Sequence, residues 1–215
     1  MALIEEISEL LQKGRAKNVK TLVQQAIDEG YDPKVILNEG LLSGMMIIGE
    51  KFKKNEVFVP EVLVAARAMN AGLEILEPKL IEVGNKPVGK VVIGTVKGDL
   101  HDIGKNLVSM MLKGAGFEIH DIGVDATAEA FIEKAEEVGA DIICMSALLT
   151  TTMTNMKLMI DGLKERGLRD KYIVMIGGAP INQSFSDQIG ADFYSPNAST
   201  AAELAKKTVE LRRAI

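Results

Sequence analysis

The chain has 215 residues, 47% of them hydrophobic and 26% charged, enough for one large domain or two small ones with real cores. A net charge of −5, 4% aromatic residues and no tryptophan argue against a surface that tracks phosphates or stacks bases, so no nucleic-acid partner is expected. A single cysteine rules out an intrachain disulfide framework and suits a reducing compartment.

In chain order, "MALIEEISELLQKG" is acidic and amphipathic, unlike the positive start and apolar centre of a secretion signal. No segment approaches the roughly 18 uninterrupted apolar residues of a membrane span. No membrane partner is therefore expected, and the expected location is cytoplasmic. Leu3, Ile7, Leu10 and Leu11 form one helical stripe, and Val19, Leu22, Val23, Ala26 and Ile27 form another. "DPKVILNEGLLSGMMIIGEKF" opens on Asp32-Pro33, a good helix entrance, and is apolar on most sides. "VPEVLVAARAMNAGLEILEPKL" supplies a fourth helix with Pro60 near its start. Four helices with short connections predict a small bundle over residues 1–88. "EVGNKPVG", residues 82 to 89, reads as a linker.

Past the linker the period changes. "KVVIGTV", "FEIHDIG", "DIICMSAL", "YIVMIGG" and "ADFYS" read as five strands separated by helical stretches. This alternation predicts an α/β domain over 89–215, a doubly wound, Rossmann-like parallel sheet in the flavodoxin order 2-1-3-4-5. Ligands of such sheets bind beyond the carboxyl ends of the strands, where strands 1 and 3 part. The unusual residues end those strands: "KGDLHDIG" after strand 1, "SALLTTT" after strand 3 and "GGAP" after strand 4.

Several chemistries compete for the first of these turns. Asp99 or Asp102 could cap a helix, leaving His101 an incidental turn residue. Neither G-x-G-x-x-G nor G-x-x-x-x-G-K-[ST] is present, which disfavours a phosphate loop. A receiver domain would end strand 3 on an acceptor aspartate, where this chain has Ser146. One histidine between two aspartates is thin for a hydrolytic metal site. His120 falls in strand 2 and reads as structural or exposed. Cys144 lies in an apolar strand and reads as inert. Met45, Met46, Met110, Met111 and Met153 read as core filler.

Taken together, Asp99-x-His101-x-x-Gly104, Ser146-x-Leu148 and Gly177-Gly178 resemble the signature of cobalamin-binding domains, in the same order and at the same strand ends. The helical half, with "GLLSGMMIIGEKFKKNEVFVPEVLVAARAM", resembles the cap bundle of corrinoid proteins from methyltransferase systems and of the corrinoid module of cobalamin-dependent methionine synthase. The resemblance covers nearly the whole chain.

It implies a cofactor, cobalamin or a related corrinoid, with methylcobalamin as the loaded state. His101 would replace the cofactor's own benzimidazole as the ligand of cobalt, a role that suits imidazole nitrogen. Asp99 would orient the ring from behind, and Thr152, where the family has serine, would extend a relay Asp99–His101–Thr152. Gly104 and the pair Gly177-Gly178 would admit the displaced nucleotide tail. Ser146 would bond the displaced base, Leu148 would lie near the lower ring face, and Ala198 would border the tail. Gly98, Asp102 and Thr150 fall within the same turns and are expected at the cofactor. Capping is the plain alternative for Thr150 to Thr154, and a Thr200–Glu203 capping box is the plain alternative for "NAST". Phe52 and Val59 match a bulky pair that shields the upper face, with valine where the family often has leucine. Asn38 matches a polar residue at the ring edge. Ordinary core packing is the alternative for Phe52 and Val59.

The function implied is a corrinoid methyl carrier of C1 metabolism, a subunit of an enzyme system rather than a complete enzyme. A substrate-specific methyltransferase would load it, and a second methyltransferase would unload it to a thiol or a pterin. A reductive activation protein would be the third partner. A cobalamin-sensing or storage module, or the small subunit of a cobalamin-dependent mutase, would bind the same cofactor.

Overall fold

The computed structural model describes residues 2–213. Its contacts divide the chain into two compact units, one running to Lys86 with Gly114–Gly116, the other made of Pro87–Lys113 and the chain from Phe117 onward.

The first unit is helical. Helices α1 (Ala2–Gln12) and α2 (Ala16–Asp28) follow the two apolar stripes, burying Ile4, Ile7 and Leu11 on one and Val19, Val23 and Ala26 on the other. The third helical run is not uniform. It begins as α3 (Pro33–Val35), loosens into a π-helical stretch over Ile36–Leu42, and resumes as α4 (Ser43–Lys53). Asp32 starts it, accepting the Lys34 N–H at 2.8 Å, and Pro33 occupies the first turn, where a missing N–H costs nothing. Hydrophobic spacing carries no sign of the π stretch, because its buried residues Ile36, Leu37, Gly40 and Leu41 recur at a spacing that an α-helix also gives over so short a run. In α5 (Val59–Glu82) the Glu61 carboxylate accepts the Phe58 N–H at 3.0 Å and so caps the start. Small residues set how closely these helices approach: a Cβ on Gly72 would stand 2.7 Å from Leu41 Cδ2 and 3.1 Å from Val19 Cγ1.

The second unit is a five-stranded parallel sheet in the order β2-β1-β3-β4-β5, as the alternation predicts. Its strands are β1 (Lys90–Thr95), β2 (Glu118–Asp121), β3 (Ile142–Ser146), β4 (Ile173–Gly177) and β5 (Phe193–Tyr194). Helices α6 (Ile103–Gly114), α7 (Ala128–Val138), α8 (Thr154–Glu165), α9 (Gln183–Ile189) and α10 (Ala198–Arg213) make the crossovers and the close. Val92, Ile143, Met145, Val174 and Ile176 point to one face, where they join Phe131, Ile132, Met156, Met159, Ile160 and Leu163 of α7 and α8 in one buried cluster. No residue of α6 or α10 belongs to that cluster, which leaves those helices to the other face, as right-handed crossovers require. Burial of the Cys144 thiol in β3 pushes its pKa up to about 12, so it carries no thiolate at neutral pH.

Some local expectations need correction. The helix after strand 3 starts at Thr154 with Met153 at its N-cap and no side-chain cap, and the Thr152 hydroxyl donates to Asp99 instead. Helix α10 starts at Ala198, and Asn197 Oδ1 accepts the Thr200 N–H at 2.9 Å, so asparagine rather than a Thr200–Glu203 box begins it. Met45 and Met111 are core residues, but Met46 is half exposed.

Gly178 has a backbone role of its own. It sits at φ +129°, and a Cβ there would lie 1.8 Å from the Ala147 carbonyl oxygen. The ends of β3 and β4 therefore demand glycine whether or not a ligand is bound. We expect Gly178→Ala to lose about 2–4 kcal/mol in urea unfolding of the apoprotein, as backbone strain at a special position does.

Candidate cofactor site

β1 and β3 stay paired to their carboxyl ends at Thr95 and Ser146, and the turn Lys97–Asp102 follows β1 at this switch point of the sheet. Thr95, fully buried, donates its hydroxyl to the His101 carbonyl at 2.9 Å and so folds the turn back on its own strand. Asn155 Nδ2 holds the Lys97 carbonyl at 2.8 Å.

Asp99 is the centre of this turn. Its side chain is 0% exposed, and it collects donors on both oxygens. Oδ1 accepts the His101 backbone N–H at 3.1 Å and lies 2.7 Å from His101 Nδ1. Oδ2 accepts the N–H groups of Leu148 at 2.8 Å and Leu149 at 3.2 Å, and the Thr152 hydroxyl at 2.8 Å. Burial alone would raise the Asp99 pKa. The Leu148 N–H, the His101 ring and N–H, and the Thr152 hydroxyl outweigh it and hold the carboxyl well below the usual carboxylate range. Asp99 is a permanent anion at neutral pH.

Its effect on His101 follows. A carboxylate only accepts, so Nδ1 carries the proton and Nε2 keeps its lone pair. Among the described residues no hydrogen bond engages Nε2, and the His101 side chain is 51% exposed. An exposed ring nitrogen of this kind can act as a ligand. Thr152 Oγ1 also reaches the Leu149 carbonyl at 2.9 Å, and with one proton it serves either acceptor but not both at once. Asp99 stands between His101 and Thr152, so a relay would run through the carboxylate.

The other predicted residues fall as follows. Gly98, Asp102 and Gly104 are exposed on the same turn and the start of α6. Asp102 Oδ2 accepts from Asn106 Nδ2 at 3.1 Å. Ser146 ends β3 in register with Thr95 of β1 and Gly177 of β4, which brings the three strand ends level. Leu148 and Thr150 are exposed in the loop after β3, and Ala198 is buried at the start of α10. Asn38, exposed in the π-helical stretch, and the half-buried Phe52 and Val59 belong to the helical unit. His120 pairs with Glu118 at 2.8 Å on β2 and takes no part.

Two observations test whether a large ring with a nucleotide tail suits this edge. Leu100 (71%), Ile103 (75%), Leu148 (43%) and Leu149 (42%) expose apolar side chains around His101, more apolar surface than a bare turn requires. A Cβ on Gly104 would meet nothing within 4 Å, so the protein's own packing does not explain that glycine, and the space beside it is kept open. Both features fit a corrinoid. Among the described residues no group of three or more His, Cys, Asp and Glu could hold a metal ion.

Sequence reasoning did not single out Lys105, Asp121 and Asp125. Lys105 is 3% exposed, bonded to Asp121 and, at 2.7 Å, to Asn106 Oδ1. Burial of a lysine beside the turn signals a required partner, but the sequence could not say which acid supplies it.

Residues 89–205 match the family profile of a B12 binding domain, and residues 3–77 match a second B12 binding domain profile. A corrinoid protein of Desulfitobacterium hafniense is 45% identical over 96% of this chain and 97% of its own length. This chain belongs to the B12-binding corrinoid proteins. The dimethylamine corrinoid protein of Methanosarcina barkeri is 46% identical over 95% of this corrinoid protein and 96% of its own length. Among solved structures, the methanol:cobalamin methyltransferase complex of Methanosarcina barkeri contains a chain that superposes with a TM-score of 0.88 at 31% identity, covering 97% of this chain and 80% of that one.

The Asp99 network yields a pH-dependent expectation. Asp99→Asn places an NH2 group against N–H donors whichever way it turns, and should cost about 1–3 kcal/mol at pH 7. Because the folded-state pKa is depressed, the carboxylate's contribution is complete above the ordinary value of 3.8 and is lost as pH falls below it. The stability gap between wild type and variant should stay constant from about pH 7 to 5 and narrow below about pH 4. Urea unfolding at several pH values checks this.

Proposed function

We propose that this protein binds a corrinoid through His101 and carries a methyl group between two methyltransferases. The observation that carries the reading is the His101 ring, fixed by a buried anion at Nδ1 and left open at Nε2, at the switch point of the sheet. The bound corrinoid would supply a cobalt centre that takes a methyl group from one donor and releases it to another acceptor.

The protein's own part is holding and tuning. His101 would present Nε2 to cobalt, and Asp99 would fix its tautomer and ring orientation. Thr152, Leu148 and Leu149 would stabilise the Asp99 charge, whose strength sets how much electron density the imidazole can give. Leu100, Ile103, Leu148 and Leu149 would cover the apolar flank of the ring. Gly104 would leave room for the tail, and the half-buried Ser146 would meet the displaced base. Gly98, Asp102, Thr150, Gly177, Gly178 and Ala198, in the same loops, at the end of β4 or at the start of α10, would complete the assignment. Asn38, Phe52 and Val59 are assigned to the cofactor by the family resemblance alone. The family matches over 3–77 and 89–205 support division into a helical domain, 1–88, and a cofactor domain, 89–215.

Relatives named for dimethylamine and trimethylamine, and the methanol complex, point to a small methylated donor delivered by a dedicated methyltransferase. A second methyltransferase to a thiol or pterin and a reductive activator would complete the cycle, in the cytoplasm. Among the described residues no helix is long and apolar enough to cross a membrane. The test is reconstitution with aquocobalamin, reduction, and mixing with each candidate methyltransferase and dimethylamine, trimethylamine or methanol. Substrate-dependent change in the corrinoid spectrum is expected with one pairing. Stable corrinoid binding with no methyl transfer from any donor would reduce the protein to a storage module.

Gly104→Ala separates cofactor fit from folding. It should leave the apoprotein as stable as wild type or up to about 1 kcal/mol more so, since alanine favours a helix. Its affinity for aquocobalamin should nonetheless fall, as measured by spectrophotometric titration.

A further inference from the structure

The end of β2 and the loop that follows it reach across to α6, to the end of β1 and to the histidine turn. Asp121 takes the buried Lys105 ammonium from the start of α6, and its other oxygen accepts the Gly123 N–H at 2.8 Å. The Gly123 carbonyl accepts the Thr95 N–H at 2.9 Å, and the Ala126 N–H donates to the Thr95 carbonyl at 2.9 Å. Between them, Asp125 bonds the turn twice. Its N–H donates to the Asp99 carbonyl at 3.0 Å, and its carboxylate accepts the Gly98 N–H at 2.7 Å.

Asp125 holds an uncommon conformation, φ +54°, where a side chain is strained and glycine would be easier. It is exposed, so it fills no core, and a turn alone would be met by glycine. What aspartate adds is an acceptor for Gly98, the residue immediately before the Asp99 anion. With the Asp99 N–H donating to the Val96 carbonyl at 3.1 Å, the Asp99 backbone is gripped from both sides before its side chain makes any bond.

We propose that Asp125 is a positioning residue for the metal-binding imidazole, acting through Gly98 and Asp99; the inference rests on the corrinoid reading. Without the Gly98 bond the turn rocks about its start, and Asp99 no longer holds the His101 ring at one angle. Ligands of metals lose tenfold or more in affinity when such outer supports are removed.

The test compares wild type, Asp125→Gly and Asp125→Asn. Glycine keeps the backbone conformation and removes the acceptor; asparagine tolerates the conformation and keeps a carbonyl oxygen in its place. Each protein, labelled with nitrogen-15 histidine and loaded with cobalamin, is read by electron paramagnetic resonance of its Co(II) form, by aquocobalamin titration, and by thermal melting of the apoprotein. We expect Asp125→Gly to melt with wild type, to bind about tenfold more weakly, and to show a fraction of cobalt without histidine nitrogen coupling. Asp125→Asn should restore most of both. Wild-type coupling and affinity in Asp125→Gly overturn the proposal, and so does a collapsed melting temperature, which would make Asp125 a fold residue. Absence of histidine coupling in wild type is a different result: it defeats the corrinoid ligation by His101 and the proposal with it.

Discussion

Everything at this sheet edge depends on keeping one carboxylate ionised while it is shielded from water. An isolated buried anion is costly, and Asp99 survives only because five donor groups from two loops converge on it. Two of those donors belong to His101 and three to the loop after β3. The charge therefore joins the histidine turn to the neighbouring strand end, and one network serves both folding and ligand preparation.

The sheet makes that convergence possible. Parallel strands end together at one edge, and the order β2-β1-β3-β4-β5 opens a crevice where β1 and β3 send their chains in opposite directions. Thr95, Ser146 and Gly177 lie level in register, so the turns that follow them start from a common line. Gly178 lets the β3 and β4 ends approach, and the β2 loop braces the turn from the far side. The helical unit owes its form to simpler causes: apolar stripes, a few glycines at close contacts, and caps from Asp32 and Glu61.

Much of this was legible in the sequence. The change of period near residue 89 divides helices from strands, and the strand ends carry the glycines and polar residues that mark the site. Asp99 and His101 are two residues apart, so their pairing could be read directly. Longer-range contacts could not. Asp125 meets Gly98 across 27 positions, and Thr152 meets Asp99 across 53; hydrophobic spacing says nothing about either. Thr152 in particular is a natural cap by composition; the family resemblance, not the spacing, links it to Asp99, and in the fold its hydroxyl donates to that carboxylate while the helix starts without a side-chain cap. Gly178 shows a second cause that spacing does not reveal, since the backbone of Ala147 requires a glycine there independently of any ligand. The π-helical stretch left no mark because the spacing of its buried residues Ile36, Leu37, Gly40 and Leu41 is one that an α-helix also gives.

The account stands on the claim that Asp99 prepares His101 with its proton on Nδ1 and its lone pair on Nε2. Nitrogen-15 magnetic resonance of the histidine-labelled apoprotein in mildly alkaline buffer reads both ring nitrogens directly. The account predicts a protonated Nδ1 and a bare, pyridine-like Nε2 for His101, with that preference lost in Asp99→Ala. A proton on Nε2, or two forms averaging equally in the wild-type protein, would contradict it.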